Sequence, residues 1–106
     1  MVERTNTLDH VFRSLADATR RDILKRVSKE EHSIGELAEC YKLSFAAIAK
    51  HIEVLNKAKL VTKRRVGKQQ FVQIVPKTVE TALNHLKEYE QLWQDRFDAL
   101  DALLTT

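Results

Sequence analysis

The sequence predicts a mostly α-helical fold with one small β-hairpin, and three observations carry that expectation. Only two glycines and one proline occur among 106 residues, too few for an all-β fold, which needs a turn signal every ~8–12 residues. Apolar residues recur at helical spacing in five separate stretches. That spacing gives way once, on either side of Gly67-Lys68, to two β-prone runs.

The elements follow in order. Leu8, Val11, Phe12 and Leu15 form the stripe of a first short helix, with Asn6 or Thr7 as its N-cap. Asp17 caps a second helix whose inner face is Ile23, Leu24 and Val27. Ser33-Ile34-Gly35-Glu36 has the spacing of a capping box, in which the serine oxygen takes a first-turn N–H and the glutamate reaches back. It opens a third helix carrying Ile34, Leu37, Ala38 and Tyr41, with Cys40 read as a small core residue. Only Lys42 and Leu43 separate it from a fourth helix, capped by Ser44, with Ile48, Ile52 and Leu55 inward. Two helices joined so tightly read as a helix-turn-helix, placed at about 33–58. The hairpin behind it, at about 60–75, makes the arrangement a winged helix, with Gly67 supplying the positive φ that a tight turn needs.

Pro76 opens the last helix, at about 77–104, since proline suits a first helical position. Val79, Leu86, Trp93 and Leu100 occupy one heptad core position, and Leu83, Glu90, Phe97 and Leu104 the other. About 28 residues of helix span ~42 Å, whereas the preceding ~75 residues fold to a body roughly 28 Å across. The helix therefore either breaks, near Asn84 or Glu90, or is covered by another chain. Trp93, Phe97 and Leu100 left in water would form a costly apolar patch, which favours a partner chain.

Composition narrows the function. Residues 1–106 read as a single domain, intracellular, with no apolar run near the ~18 residues of a membrane span and no signal-peptide core. A cytoplasmic protein without membrane partners is the expectation. One cysteine excludes an intrachain disulfide and a cysteine-cluster metal site. Gly35 and Gly67 lie too far apart for a phosphate cradle. The histidines at 10, 32, 51 and 85 are scattered, and no nucleophile sits in a recognisable motif, so no enzyme is expected. The net charge of +3 is unevenly spread: residues 33–76 carry eight Lys/Arg against three Asp/Glu, and residues 77–106 carry three against six. A basic middle and an acidic tail suit a polyanion bound by the middle.

Three strings in order, LADATRRDIL, LSFAAIAKHIEVLNKAKLV and KRRVGKQQFVQI, resemble the ArsR-type winged helix-turn-helix transcriptional regulators over residues 8–75. The tail, LKEYEQLWQDRFDALDALL, looks like the dimerisation helix of one branch of that family. Ala18 stands where the family often has proline, Ala49 where it often has serine, and Lys59 where it usually has glycine. The resemblance implies a homodimer, a repressor, setting two recognition helices on a partly palindromic double-stranded operator. Its contacts would come from the first and last helices: Leu8, Phe12, Leu86, Tyr89, Trp93, Phe97 and Leu100.

Recognition helices read bases with their N-terminal turns. Ser44, Phe45, Ala46, Ala47 and Lys50 are therefore the DNA-reading candidates, with Ser44 on a phosphate and Lys50 the one donor for guanine O6/N7. Phe45 either meets a thymine methyl or packs under the helix start. His51 shares the inner side with Ile48 and Leu55, and is read as a half-buried, hydrogen-bonded residue. Lys63, Arg64, Arg65 and Lys68 make a wing without one acidic residue, the composition of a phosphate contact. The competing reading is a winged-helix protein-interaction module without specific DNA binding; a purely basic wing disfavours it.

Many family members bind metals through cysteines at the start of the third helix, where this chain has Ser33 and Gly35. Others hold zinc between the last helices; His85 and Glu88 match half of that pattern, but the other half falls on Val72 and Ile74. Neither set supplies the about four ligands of a closed site. No metal and no cofactor is expected.

Overall fold

The computed structural model describes the backbone of residues 2–105 and the side chains of residues 8–105. Among the described residues, five helices and three short strands run in the order α1 (Val2–Ser14), α2 (Ala18–Lys29), β1 (His32–Ser33), α3 (Ile34–Tyr41), α4 (Phe45–Lys57), β2 (Val61–Val66), β3 (Gln69–Ile74) and α5 (Pro76–Thr105). The fold is a winged helix. Helix α1 starts at Val2, ahead of the expected cap at Asn6 or Thr7, and those two side chains lie outside the described residues.

The core forms where the apolar stripes converge. Ile23 and Val27 from α2, Ile34 and Leu37 from α3, and Ile48, Ile52 and Leu55 from α4 are buried together with Leu60, Val61 and Val72 at the root of the wing. A buried aliphatic side chain of this kind contributes roughly 1.5–3 kcal/mol. Val11 joins α1 to the same core, and the buried Ser14 hydroxyl donates to the Val11 carbonyl at 2.7 Å. Side chains of α2 reach back to the carbonyls at and just beyond the end of α1. Arg20 donates to the Ser14 carbonyl at 2.7 Å and to Arg13 at 3.3 Å, and Arg21 donates to Leu15 at 2.8 Å.

Local chemistry sets the helix ends. Asp17 accepts the Arg20 N–H at 3.0 Å, and this bond is the main cause holding its carboxyl below the ordinary value. At α3 both halves of the capping box are made: the Glu36 N–H donates to Ser33 Oγ at 3.1 Å, and the Ser33 N–H donates to Glu36 Oε1 at 3.2 Å. Helix α3 ends on Lys42 in the left-handed region (φ 54°), so that α4 starts three residues later under the Ser44 cap, whose Oγ accepts the Ala47 N–H at 3.1 Å. Helix α4 ends with Lys59 at φ 62°, and the Leu60 N–H returns to the Leu55 carbonyl at 3.0 Å. Glycine is the residue that this conformation favours, and the chain places a lysine in it.

The sheet has an unforeseen third strand. Beside the expected hairpin, in which Val61 pairs with Ile74 and Val66 with Gln69, His32 and Ser33 pair with Val72 and Phe71, giving the antiparallel order β1-β3-β2. Two residues carry no strand periodicity, so β1 exists only because β3 offers an edge. Cys40 is a correction: it is exposed, not in the core. On α3 the residues Ile34, Leu37, Ala38 and Tyr41 take the inner side, and Cys40 falls outside that arc, where Arg26 Nη1 approaches its Sγ at 3.8 Å.

Helix α5 is continuous, broken neither at Asn84 nor at Glu90. Ala82 is its one buried residue, and Val79 packs beside it against the core. Past Glu88, which still lines a cavity with Leu8 and Val11, the helix extends away from the core. The resulting shape, 66 × 32 × 20 Å with a radius of gyration of 18.0 Å, compares with about 13 Å for a compact domain of this length. Among the described residues, no helix is long and apolar enough to cross a membrane.

Candidate nucleic-acid interface

Burial of Ile48, Ile52 and Leu55 turns the opposite side of α4 outward. Ser44, Phe45, Ala46 and Lys50 are exposed, while Ala47 is half-buried. Phe45, 60% exposed, does not pack under the helix start. Ser44 Oγ accepts its own helix's N–H, which leaves the hydroxyl proton free to donate. His51 is half-buried, its Nδ1 3.4 Å from Arg20 Nη1, as its inner angular position requires.

The wing stands beside this helix. Lys63, Arg64, Arg65 and Lys68 are all exposed, but the sheet sorts them. Side chains alternate across a strand, so Lys63 and Arg65 share one face with Val72 and Gln70, and Arg64 shares the other with Phe71. On the first side a cleft of about 370 Å³ opens, lined by Ser33 and Gly35 at the start of α3, by Phe45, and by Arg65, Lys68, Gln69 and Gln70 of the wing. On the other side Arg64 meets Glu31, with Nη2 2.5 Å from Oε1, while its guanidinium lies 5.8 Å from the centre of the Phe71 ring.

The reading of the wing as four cations without a balancing acid is therefore corrected. No acid occurs in the hairpin's own sequence, but Glu31, 33 positions before Arg64, folds against it. Sequence reasoning also missed Gln69 and Gln70, which line the same cleft, Gln70 through its pairing with Arg65.

The candidate dimer residues divide into two groups. Leu8 is half-buried on α1, and Phe12 sits with its ring centre 6.2 Å from that of His85, joining α1 to the base of α5. Leu86, Tyr89, Trp93, Phe97 and Leu100 project into solvent, each about half exposed or more, as do Leu83, Leu92, Leu103 and Leu104. The stripe that carries Ala82 into the body thus continues, uncovered, along the rest of α5.

A helix-turn-helix domain model matches residues 15–64. The HTH-type transcriptional regulator Rv2034 of Mycobacterium tuberculosis is 37% identical over 68 residues, and the chain spans 64% of that relative's length and 64% of its own. The uncharacterized HTH-type transcriptional regulator YuzN of Bacillus subtilis is 45% identical over 60% of this chain and 77% of its own length. Among solved structures, an ArsR-like transcriptional regulator from Rhodococcus sp. RHA1 superposes with a TM-score of 0.76 at 27% identity, covering 95% of both chains. This chain belongs to the ArsR-type regulators. Its fold is also that of the homodimeric winged helix-turn-helix DNA-binding domain of Mb0332 from Mycobacterium bovis, at 18% identity, a TM-score of 0.70 and 85% and 84% coverage.

Metal ligation by family members finds no matching donor set here. At the start of α3, the Ser33 hydroxyl is engaged in its cap and Gly35 has no side chain. On α5, His85 Nδ1 lies 4.0 Å from Glu88, an ion-pair distance without a third ligand. Among the described residues no group of three or more His, Cys, Asp or Glu side chains is placed to hold an ion. The residues do not fit a metal of the kind those family members carry.

Proposed function

We propose that this chain is a dimeric, sequence-specific DNA-binding repressor, in which the first turns of α4 enter the major groove and the wing lies on the flanking phosphates. The observation that carries this reading is the shared orientation of the two elements: Phe45 of α4 and Arg65 and Lys68 of the wing line one cleft, with Lys50 exposed on the same helix. Ser44 donates to a phosphate, Lys50 donates to guanine, and Phe45 and Ala46 offer apolar contact to thymine methyls. Ala47, being half-buried, contributes helix shape more than contact. A second copy covers the α5 stripe, and a two-fold dimer presents its recognition helices about one helical turn, ~34 Å, apart on a partly palindromic site. The homodimeric state of the Mb0332 domain, which has this fold, supports that assembly. Bound across a promoter, such a dimer acts by occlusion.

Selection of bound sequences from random duplex DNA, repeated at two salt concentrations, tests the reading. The expected product is a two-fold symmetric motif with affinity that falls steeply with salt. Recovery of no motif, with binding equally weak at both concentrations, would return the chain to the protein-interaction reading.

A further inference from the structure

We infer that the wing's cations have two different roles: Arg65 and Lys68 contact phosphate, whereas Arg64, held by Glu31, positions the wing. The inference rests on the DNA-binding reading above and assigns residues within it. Three observations carry it. Arg65 and Lys68 line the cleft that Phe45 closes from the recognition helix, so a backbone strand lying beside α4 meets them. Arg64 projects from the opposite sheet face, where its guanidinium is engaged by Glu31 and lies near the Phe71 ring. Glu31 directly precedes β1, and β1 leads without a break into α3. The pair therefore joins the middle of β2 to the segment that opens the helix-turn-helix.

That placement has a mechanical consequence. The hairpin's root is fixed by the buried Val61 and Val72, but from Thr62 to Gln69 its residues are exposed, and β1 pairs only with Phe71 and Val72. Among the described residues, the Glu31–Arg64 contact is the one ion pair that ties the wing to another part of the chain, the link between α2 and β1. An arginine donating to a carboxylate beside an aromatic ring has lost much of its freedom to reach a phosphate. Its contribution is the angle at which the wing carries Arg65 and Lys68 toward the duplex.

The two roles separate in salt dependence. Each phosphate contact removed lowers the slope of log affinity against log salt by about 1, whereas a misplaced but fully charged contact surface keeps its slope. The measurement is fluorescence anisotropy of a labelled random-sequence duplex of about 30 base pairs, titrated with the full chain over a range of KCl. Arg65→Ala is expected to lower the slope by about 1 per wing. Arg64→Ala is expected to weaken binding about two- to five-fold per wing, the scale of an exposed ion pair, while leaving the slope within about 0.5 of the parent. The charge-swapped chain, Glu31→Arg with Arg64→Glu, keeps the net charge and the pair, and is expected to bind like the parent. Glu31→Arg alone places two cations together and loses affinity despite its added positive charge, an outcome that charge alone would reverse.

A slope lowered as much by Arg64→Ala as by Arg65→Ala overturns the division of roles. Tighter binding by Glu31→Arg, or a swapped chain as weak as Arg64→Ala, overturns the positioning role of the pair. Slopes unchanged in every wing variant would instead remove the wing from the DNA, and with it the reading on which this inference rests. Arg64 and Arg65 are exposed and Glu31 is half-buried, so circular dichroism and the thermal midpoint of each variant are read beside the titrations to show that it remains folded.

Discussion

Lys59 holds a backbone conformation that its Cβ resists, with φ at 62°. The left-handed region costs a residue with a side chain roughly 1–2 kcal/mol, and glycine gives back part of that through its greater freedom when unfolded. Lys59→Gly should therefore stabilise the fold by about 0.5–1 kcal/mol, read as a higher denaturant midpoint with an unchanged slope. A lower midpoint would mean that the lysine side chain contributes more than its backbone costs. Glu36 offers a second test. Its carboxyl is held below the ordinary value of 4.5 chiefly by the Ser33 N–H, then by the Ser33 hydroxyl. A depressed folded value means that the stabilisation is complete above the unfolded value and disappears as pH falls through the folded one. The thermal midpoint should thus fall as pH drops below the ordinary value of 4.5 and on through the lower folded one, and Glu36→Gln should flatten part of that fall; an identical profile in the variant would assign the acid sensitivity to other carboxylates, Asp17 among them. The Ser33–Glu36 box and the Ser44 cap were legible because each needs only residues three apart. The Glu31–Arg64 pair was not legible, because only the folded sheet brings those positions together.

At the scale of elements, periodicity marked α2, α3, α4 and α5 because each carries one apolar stripe, buried in the first three and largely open on α5, and a stripe of three or four apolar residues survives in one dimension. The first helix shows the limit of that signal. Its polar opening residues, VERTNT, carry no stripe, so its start was placed late. Strand β1 shows a different limit, since its two residues owe their conformation to β3. The candidate interface was legible as a set of residues on α4 and the wing, but its sidedness was not, because alternation has to be anchored by knowing that Val61 and Val72 face the core. Elements also decide the matter of ions. With Ser33 capping α3, Gly35 bare, and His85 and Glu88 alone on one side of α5, zinc, cadmium or arsenite should leave the affinity for DNA unchanged. Titrating the protein–DNA complex with each ion checks this. A stoichiometric ion that dissociates the complex would reveal ligands contributed across two chains.

For the whole molecule, the decisive quantity is the mismatch between α5 and the body it leaves. A helix of 30 residues is about 45 Å long, yet among the described residues it is its first turns, from Val79 to Glu88, that face α1 and the core. The remainder carries Tyr89, Trp93, Phe97 and Leu100 on the face that Ala82 begins, with Trp93 62% and Phe97 59% exposed. Monomeric domains rarely leave a continuous apolar strip of this length in water, and a second α5 supplies a matching strip at no cost in new sequence. Because Trp93 and Phe97 stand outside the core, replacing both with alanine should leave the folded body intact. The dimer should suffer, since each aromatic lost from a buried interface costs about 3–5 kcal/mol, or more than about a hundredfold in dissociation constant. Sedimentation at micromolar concentration should then show the parent as a dimer and the double variant as a monomer with an unchanged helical spectrum. DNA binding follows from the assembly. A monomer carries one recognition helix and one wing, so the salt slope of the variant should fall to about half the parent's. A variant that stays dimeric would place the contact on α1 and the base of α5, at Leu8, Phe12 and Leu86. A variant that becomes monomeric yet keeps the full slope would show that a single chain already makes every phosphate contact.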